Sequence, residues 1–199
     1  IYKKKNTKTK KFFSLQNKIA GENFKSKINK IRNILKSYKA DYLFVSAPEN
    51  VAWMLNIRGS DNPNSPIPNC RLIVGQNEEL FLITQKEKAQ KIIKEKKLSE
   101  KQIIDSKKFK NLIKKLNGDK FIIDSLSCSI FNENLIKSKF LIINYTDPCY
   151  KLKSIKNSTE IKHSINAHIE DGVALTKFIY WIKNINKKKI TELDSQKKL

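Results

Sequence analysis

"CRLIVGQNEELFLIT", residues 70–84, decides the fold. The apolar runs CRLIVG and ELFLIT are separated by only Gln76, Asn77 and Glu78, a spacing that predicts a β-hairpin and so an antiparallel pair of strands. Working outward, DYLFVS at 41–46 is a short apolar run that fits a strand buried on both faces. Between it and the hairpin, PENVAWMLN suits a short helix, with Pro48 at a permitted first position. Upstream, Phe24, Ile28, Ile31, Ile34 and Leu35 recur at helical spacing and predict a helix over 22–38 with one buried stripe. Residues 1–13 read as an extended, solvated lead-in.

Downstream of the hairpin, QKEKAQKIIKEKK predicts a charged helix with a narrow apolar edge, its lysines forming a wet outer face. KQIID, KFIID and FLIIN then read as strands, alternating with helices in KKFKNLIKKL and SIFNENLIK. Asn117 and Gly118 mark a helix end between two of these. Strands alternating with helices predict an α/β sandwich, and the hairpin makes its sheet mixed, flanked by helices, rather than purely parallel.

The pattern stops near Asn144. YTDPCYKLKSIKN reads as a connector, followed by a long helix from about Ser158 to Asn184, capped by Asn157 or Ser158 with Glu160 in its first turn. ITELDSQKKL opens a further helix with Thr191 as its cap. The sequence therefore divides into a domain at 1–146 and a second body at 147–199 that lacks most of its bulk.

The formal charge of +22 invites a nucleic-acid or membrane reading. Yet nearly all the basic residues are lysine, with arginine only at positions 32, 58 and 71. Specific base readout favours the arginine fork, so this balance argues against a sequence-reading DNA binder. Abundant Lys, Asn and Ile match the residue usage of an AT-rich genome, which raises charge without a functional demand. Cys70, Cys128 and Cys149 are odd in number, far apart and without C-x-x-C spacing, so neither a disulfide framework nor a zinc site is expected, and a reducing, cytoplasmic setting is. No apolar run approaches the roughly 18 residues of a bilayer span. The basic start lacks the apolar stretch of a signal peptide and an initiator methionine, the expectation being that the left end is a cut.

Two places hold chemistry. His168 and Asp171 sit three apart and share a helix face, which is half a metal site or else a helix-end contact or packed polar pair. The stronger signal is NIRGSDNPNSPIPN at 56–69, which carries three of the five prolines and one of the three arginines. Pro63, Pro66 and Pro68 each fix a backbone φ, so the segment loses little entropy on being held in one shape. Arg58 beside Gly59 presents a guanidinium next to a tight backbone, with Asp61 near enough to orient it and Trp53 as an apolar wall. This set suits recognition of a carboxylate or carbonyl, or a domain contact; the alternative is that Arg58 and Asp61 only pin the loop.

These residues resemble the Xaa-Pro aminopeptidases, or aminopeptidase P, of the three-domain kind in the creatinase/prolidase (pita-bread) superfamily. That family's middle domain carries W-x-x-N-x-R-G-x-D-x-x-x-x-P, matched here by Trp53, Asn56, Arg58, Gly59, Asp61 and Pro66. The start of its catalytic domain is similar to residues 147–182, through Lys153, Lys156, Asn157, Glu160, Ala167, His168, Asp171, Gly172 and Trp181. The resemblance implies an enzyme that removes the first residue of short peptides with proline second, and a homodimer when complete. It also implies two divalent metal ions, usually manganese, held by two Asp, one His and two Glu. Those ligands are expected beyond Leu199, so no metal ligand and no catalytic residue is assigned here, and the chain should be inactive alone. Trp53, Asn56, Arg58 and Asp61 are the candidate residues of a substrate cleft or gate. Rival readings are a prolidase or creatinase-like hydrolase of the same superfamily, and a lysine-rich nucleic-acid-binding module.

Overall fold

The computed structural model describes residues 11–185 and 190–199. They fall into two compact units, the first running to Ile155 and the second from Lys156.

The first unit is built on a six-stranded mixed sheet. In chain order its strands are β2 (Tyr42–Val45), β4 (Arg71–Gly75), β5 (Leu80–Ile83), β6 (Ile103–Ile104), β7 (Lys120–Ile123) and β8 (Leu141–Asn144). A two-stranded ribbon, β1 (Phe13–Ser14) against β3 (Ile57–Arg58), stands apart from it. The spatial order is β6-β5-β4-β2-β7-β8. The expected hairpin is present, with Val74 opposite Leu80 and Leu72 opposite Leu82. β4 also pairs antiparallel with β2, whereas β2–β7, β7–β8 and β5–β6 are parallel. The sheet is therefore mixed, as the hairpin requires.

Every residue of β2 is buried. This follows from its central place between β4 and β7, with helices over both faces. One face carries Leu43, Val45, Leu72, Val74, Leu80, Leu82 and Ile122. Against it pack α2 (Phe24–Ser37) through Ile28, Ile31 and Leu35, α3 (Pro48–Leu55) through Val51, Met54 and Leu55, and α4 (Gln90–Lys94) through Ile92. Short helix α1 (Asn17–Ala20) leads into α2 and ends on Gly21 in the left-handed region. The opposite face carries Tyr42, Phe44, Ile73, Ile83, Phe121 and Ile123. It is covered by α5 (Phe109–Lys115) through Phe109 and Ile113 and by α6 (Ile130–Lys137) through Ile136. Aromatic stacking adds definition there: Tyr42 on Phe121 at 5.1 Å and Phe44 on Phe109 at 5.4 Å between centroids.

Helix α7 (Pro148–Ser154) belongs to this unit by its contacts with α3. Its N-cap Asp147 is buried, accepting from the Cys149 N–H at 2.9 Å and from Asn50 Nδ2 at 2.7 Å, while its own N–H donates to Asp124 Oδ2 at 3.0 Å. Burial raises the Asp147 pKa above the ordinary aspartate value, against the pull of its hydrogen bonds from Asn50 and Cys149. Lys153 donates to the same Asn50 at 2.6 Å.

The second unit holds α8 (Ser158–Asn184) and α9 (Glu192–Lys198), each opened by a reciprocal capping box, Asn157 with Glu160 and Thr191 with Asp194. None of their residues is buried, and Ile161, Ile165, Ile169 and Val173 recur on α8 as exposed apolar side chains.

The expected lead-in is corrected where it is described. Residues 1–10 lie outside the described residues, but Phe12 is 0% exposed within the α2–α3 core and Phe13–Ser14 pair with Ile57–Arg58. A lone FF pair after a lysine run has no periodicity to announce this. Phe12→Ala is expected to cost about 3–5 kcal/mol in chemical denaturation, the range for emptying a buried phenylalanine site. A loss below about 1 kcal/mol would mean that the segment only rests on the surface.

Candidate functional site: the carboxyl end of α3 and the proline loop

Helix α3 ends at Leu55, and its last carbonyls lie inside the protein, where they need donors. Asn56 turns the chain out of the helix with φ 49° and ψ 50°, a left-handed conformation that asparagine tolerates better than most residues. Its side chain is fully used. Oδ1 accepts from Lys27 Nζ at 2.8 Å, and Nδ2 donates to the Glu22 carbonyl at 2.7 Å. Glycine would supply the backbone freedom but neither hydrogen bond.

Three cations then converge on the helix end. Lys27, only 1% exposed, donates to the Trp53 carbonyl at 3.0 Å, with its ammonium 4.2 Å from the Trp53 ring centre. Lys97 donates to the carbonyls of Leu55 and Asn56, both at 3.0 Å. Arg58 folds back to donate from Nη1 to Ala52 O at 3.3 Å and to Ile57 O at 2.9 Å. Positive charge at a helix carboxyl end meets the negative pole of the macrodipole. Burial lowers the pKa of both Arg58 and Lys97, the neighbouring Glu95 opposing it at Lys97.

Beyond Arg58 the loop closes on itself. Gly59 donates to the Pro66 carbonyl at 3.1 Å, and a Cβ on Gly59 would sit 2.8 Å from Pro68 Cα and 3.2 Å from the Phe12 ring. Only glycine fits that close approach. Asp61 accepts from the Asn69 N–H at 2.7 Å and pairs with Lys88 at 2.5 Å. The expectation that Asp61 orients Arg58 is therefore corrected: Lys88 and the Asn69 amide take the carboxylate, and Asp61 ties the two ends of the loop together. Between these ties the segment from Ser60 to Asn64 is exposed.

The four candidate residues thus divide. Asn56 is buried and structural, Trp53 is half-buried beneath Lys27, and Asp61 closes the loop. Two of them keep donors in reserve: among the described residues nothing accepts from Arg58 Nε or Nη2, and the Trp53 Nε1 is buried without a partner. Lys27 and Lys97 were not singled out by the sequence reading. Lys27 left a signal, since it lies three residues after Phe24 and four before Ile31, inside the apolar stripe of α2. Lys97, in a run of lysines, left none.

The other pair does not assemble a site. His168 and Asp171 are exposed on α8, and among the described residues no group of three or more His, Cys, Asp or Glu is placed to hold a metal ion. No helix of the described residues is long and apolar enough to cross a membrane.

Comparison with known proteins fits this geometry. A family model described as the creatinase/prolidase N-terminal domain matches residues 3–160. The chain belongs to that family. Among curated members it is similar to Xaa-Pro aminopeptidase 1 of Dictyostelium discoideum, 32% identical over 174 residues that cover 86% of this chain and 27% of that protein. It is also similar to the Xaa-Pro aminopeptidase ApepP of Drosophila melanogaster, 32% identical over 187 residues, 89% of this chain and 30% of that one. This creatinase/prolidase N-terminal domain therefore spans under a third of those relatives. In fold it matches the X-prolyl aminopeptidase of Caenorhabditis elegans, described as a cytosolic enzyme with a di-nuclear active site. That match has TM-score 0.78 and 21% identity, over 94% of this chain and 32% of the other. It also matches an Xaa-Pro dipeptidase of Bacillus anthracis, with TM-score 0.64 and 15% identity, over 88% and 47%.

The two jobs of Asn56 can be separated. Asn56→Ala is expected to destabilise the chain by about 2–5 kcal/mol, losing both the amide bonds and the tolerated φ. Asn56→Gly, which restores only the φ, should be more stable than Asn56→Ala by about 1 kcal/mol in urea unfolding. Equal midpoints for the two variants would show that the left-handed turn contributes nothing.

Proposed function

We propose that this chain is the middle domain and the opening, from residue 147, of the catalytic domain of an aminopeptidase that removes the first residue of short peptides with proline second. Arg58 carries the reading. Its Nη1 is anchored to the α3 end while Nε and Nη2 have no acceptor among the described residues, at the root of a loop stiffened by three prolines. A guanidinium held by one nitrogen offers the rest of its fork to a planar anion or carbonyl. The similarity to two Xaa-Pro aminopeptidases over 86% and 89% of the chain supplies the substrate class.

In this role the loop limits access to a cleft, its own or a neighbouring subunit's, with Arg58 at the substrate entrance and Asp61 and Asn56 fixing its shape. Preset geometry matters because small misplacements of a substrate cost rate steeply. The reading places the complete protein in the cytoplasm as a homodimer using two divalent metal ions, proposed to be manganese. On this reading the metal ligands belong to the body of the catalytic domain, as the resemblance implies; among the described residues no group of three or more His, Cys, Asp or Glu is placed to hold a metal ion.

Arg58→Lys in the complete enzyme tests this. It keeps the charge and removes the fork, and kcat/KM on Xaa-Pro peptides longer than two residues should fall by about 10–100-fold, the value of a charge-assisted hydrogen bond. Unchanged kinetics across peptide lengths would reduce the loop to scaffolding. Cleavage confined to Xaa-Pro dipeptides would reassign the protein as a prolidase.

A further inference from the structure

We infer that Lys27 and Lys97 are positioning residues for the Arg58 loop, acting on peptide binding through the carboxyl end of α3. The kinetic part of this inference rests on the aminopeptidase reading; the structural part does not.

The two lysines come from different elements, α2 and the segment after α4, yet their ammonium groups meet the same four residues, 53–56. Lys27 takes Trp53 O and the Asn56 amide oxygen; Lys97 takes Leu55 O and Asn56 O. The Asn56 carbonyl also accepts from the Leu15 N–H at 2.8 Å, so the β1–β3 ribbon is tied to the same turn. Directly after it come Ile57 and Arg58, and Arg58 spends its own Nη1 on the same helix end.

Lysine is a poor choice for stability at the Lys27 position. An ammonium buried to 1% exposure must be stripped of water; an apolar side chain of equal length avoids that cost but withdraws the donor from Trp53 O and Asn56 Oδ1. What a buried, multiply hydrogen-bonded ammonium provides is a single geometry for its acceptors. Methionine has nearly the same shape but accepts any small rotation of residues 53–56, and each rotation there swings the loop that follows. The expected signature is loosened aim at residues 57–61, on top of the stability lost with the donors to the α3 end.

The test uses the complete protein as wild type, Lys27→Met, Lys97→Met and Lys97→Arg. Native-state hydrogen exchange is read at the amides of residues 57–61, and KM and kcat on an Xaa-Pro tripeptide. Both methionine variants should exchange at least about tenfold faster at these amides, since each loses two charged hydrogen bonds and one alone is worth about that much. KM should rise about tenfold while kcat stays within about twofold, and Lys97→Arg should restore both. Exchange unchanged at 57–61, or a fall in kcat with KM unmoved, would overturn the inference. If Lys27→Met does not fold, the Lys97 pair decides alone, because Lys97 is only partly buried. If the wild type has no activity on Xaa-Pro peptides yet exchange still responds, the positioning role stands and the aminopeptidase reading falls.

Discussion

The carboxyl end of α3 is the joint on which this domain depends. A helix that ends inside a protein leaves carbonyls that must find donors, and here Lys27, Lys97 and Arg58 supply them from three directions. The left-handed Asn56 completes the turn by spending both halves of its amide. Because the sheet fixes α2 and α3 through a shared apolar core, the ammonium of Lys27 is delivered to the turn by packing and needs no search of its own. Local backbone geometry, charge and the hydrophobic core thus agree on one exit direction for the chain.

From that exit the loop inherits its order. The β1–β3 ribbon, Phe12 and Lys88 form its base: Phe12 donates its N–H to the Lys88 carbonyl at 2.9 Å, and Lys88 in turn holds Asp61. Gly59 lets the returning strand of the loop pass close enough for Pro68 to pack beside it. The base is held by contacts and the exposed part is stiffened by proline, so the loop is shaped without being buried. On the aminopeptidase reading, this projection with its partly spent arginine is what meets a peptide outside the domain.

Much of this architecture was legible in the sequence, for identifiable reasons. The hairpin at 70–84 announced a mixed sheet because its two apolar runs are too close for a helical crossover, and the i, i+3, i+4 stripe of α2 announced its buried face. The Asn157–Glu160 and Thr191–Asp194 caps could be read because capping is local chemistry. What could not be read was non-local. The burial of Phe12, the pairing of Asp61 with Lys88 instead of Arg58, and the capture of α3 by Lys27 and Lys97 join residues 26 to 76 positions apart. In a chain this rich in lysine, composition hides the few lysines that are structural. The motif was visible as residue types, yet its members proved to do different work: Asn56 and Asp61 hold the loop, and Arg58 folds back on the α3 end with only Nη1 spent.

A structure of the complete protein with an Xaa-Pro peptide analogue bound tests the central claim most directly, namely that the clamped end of α3 aims Arg58 at a peptide. The account predicts Arg58 Nε or Nη2 within about 3.2 Å of a peptide oxygen, in its own subunit or a neighbouring one, with Lys27 and Lys97 still on the α3 carbonyls. A bound peptide with Arg58 beyond hydrogen-bonding reach in every subunit would contradict it.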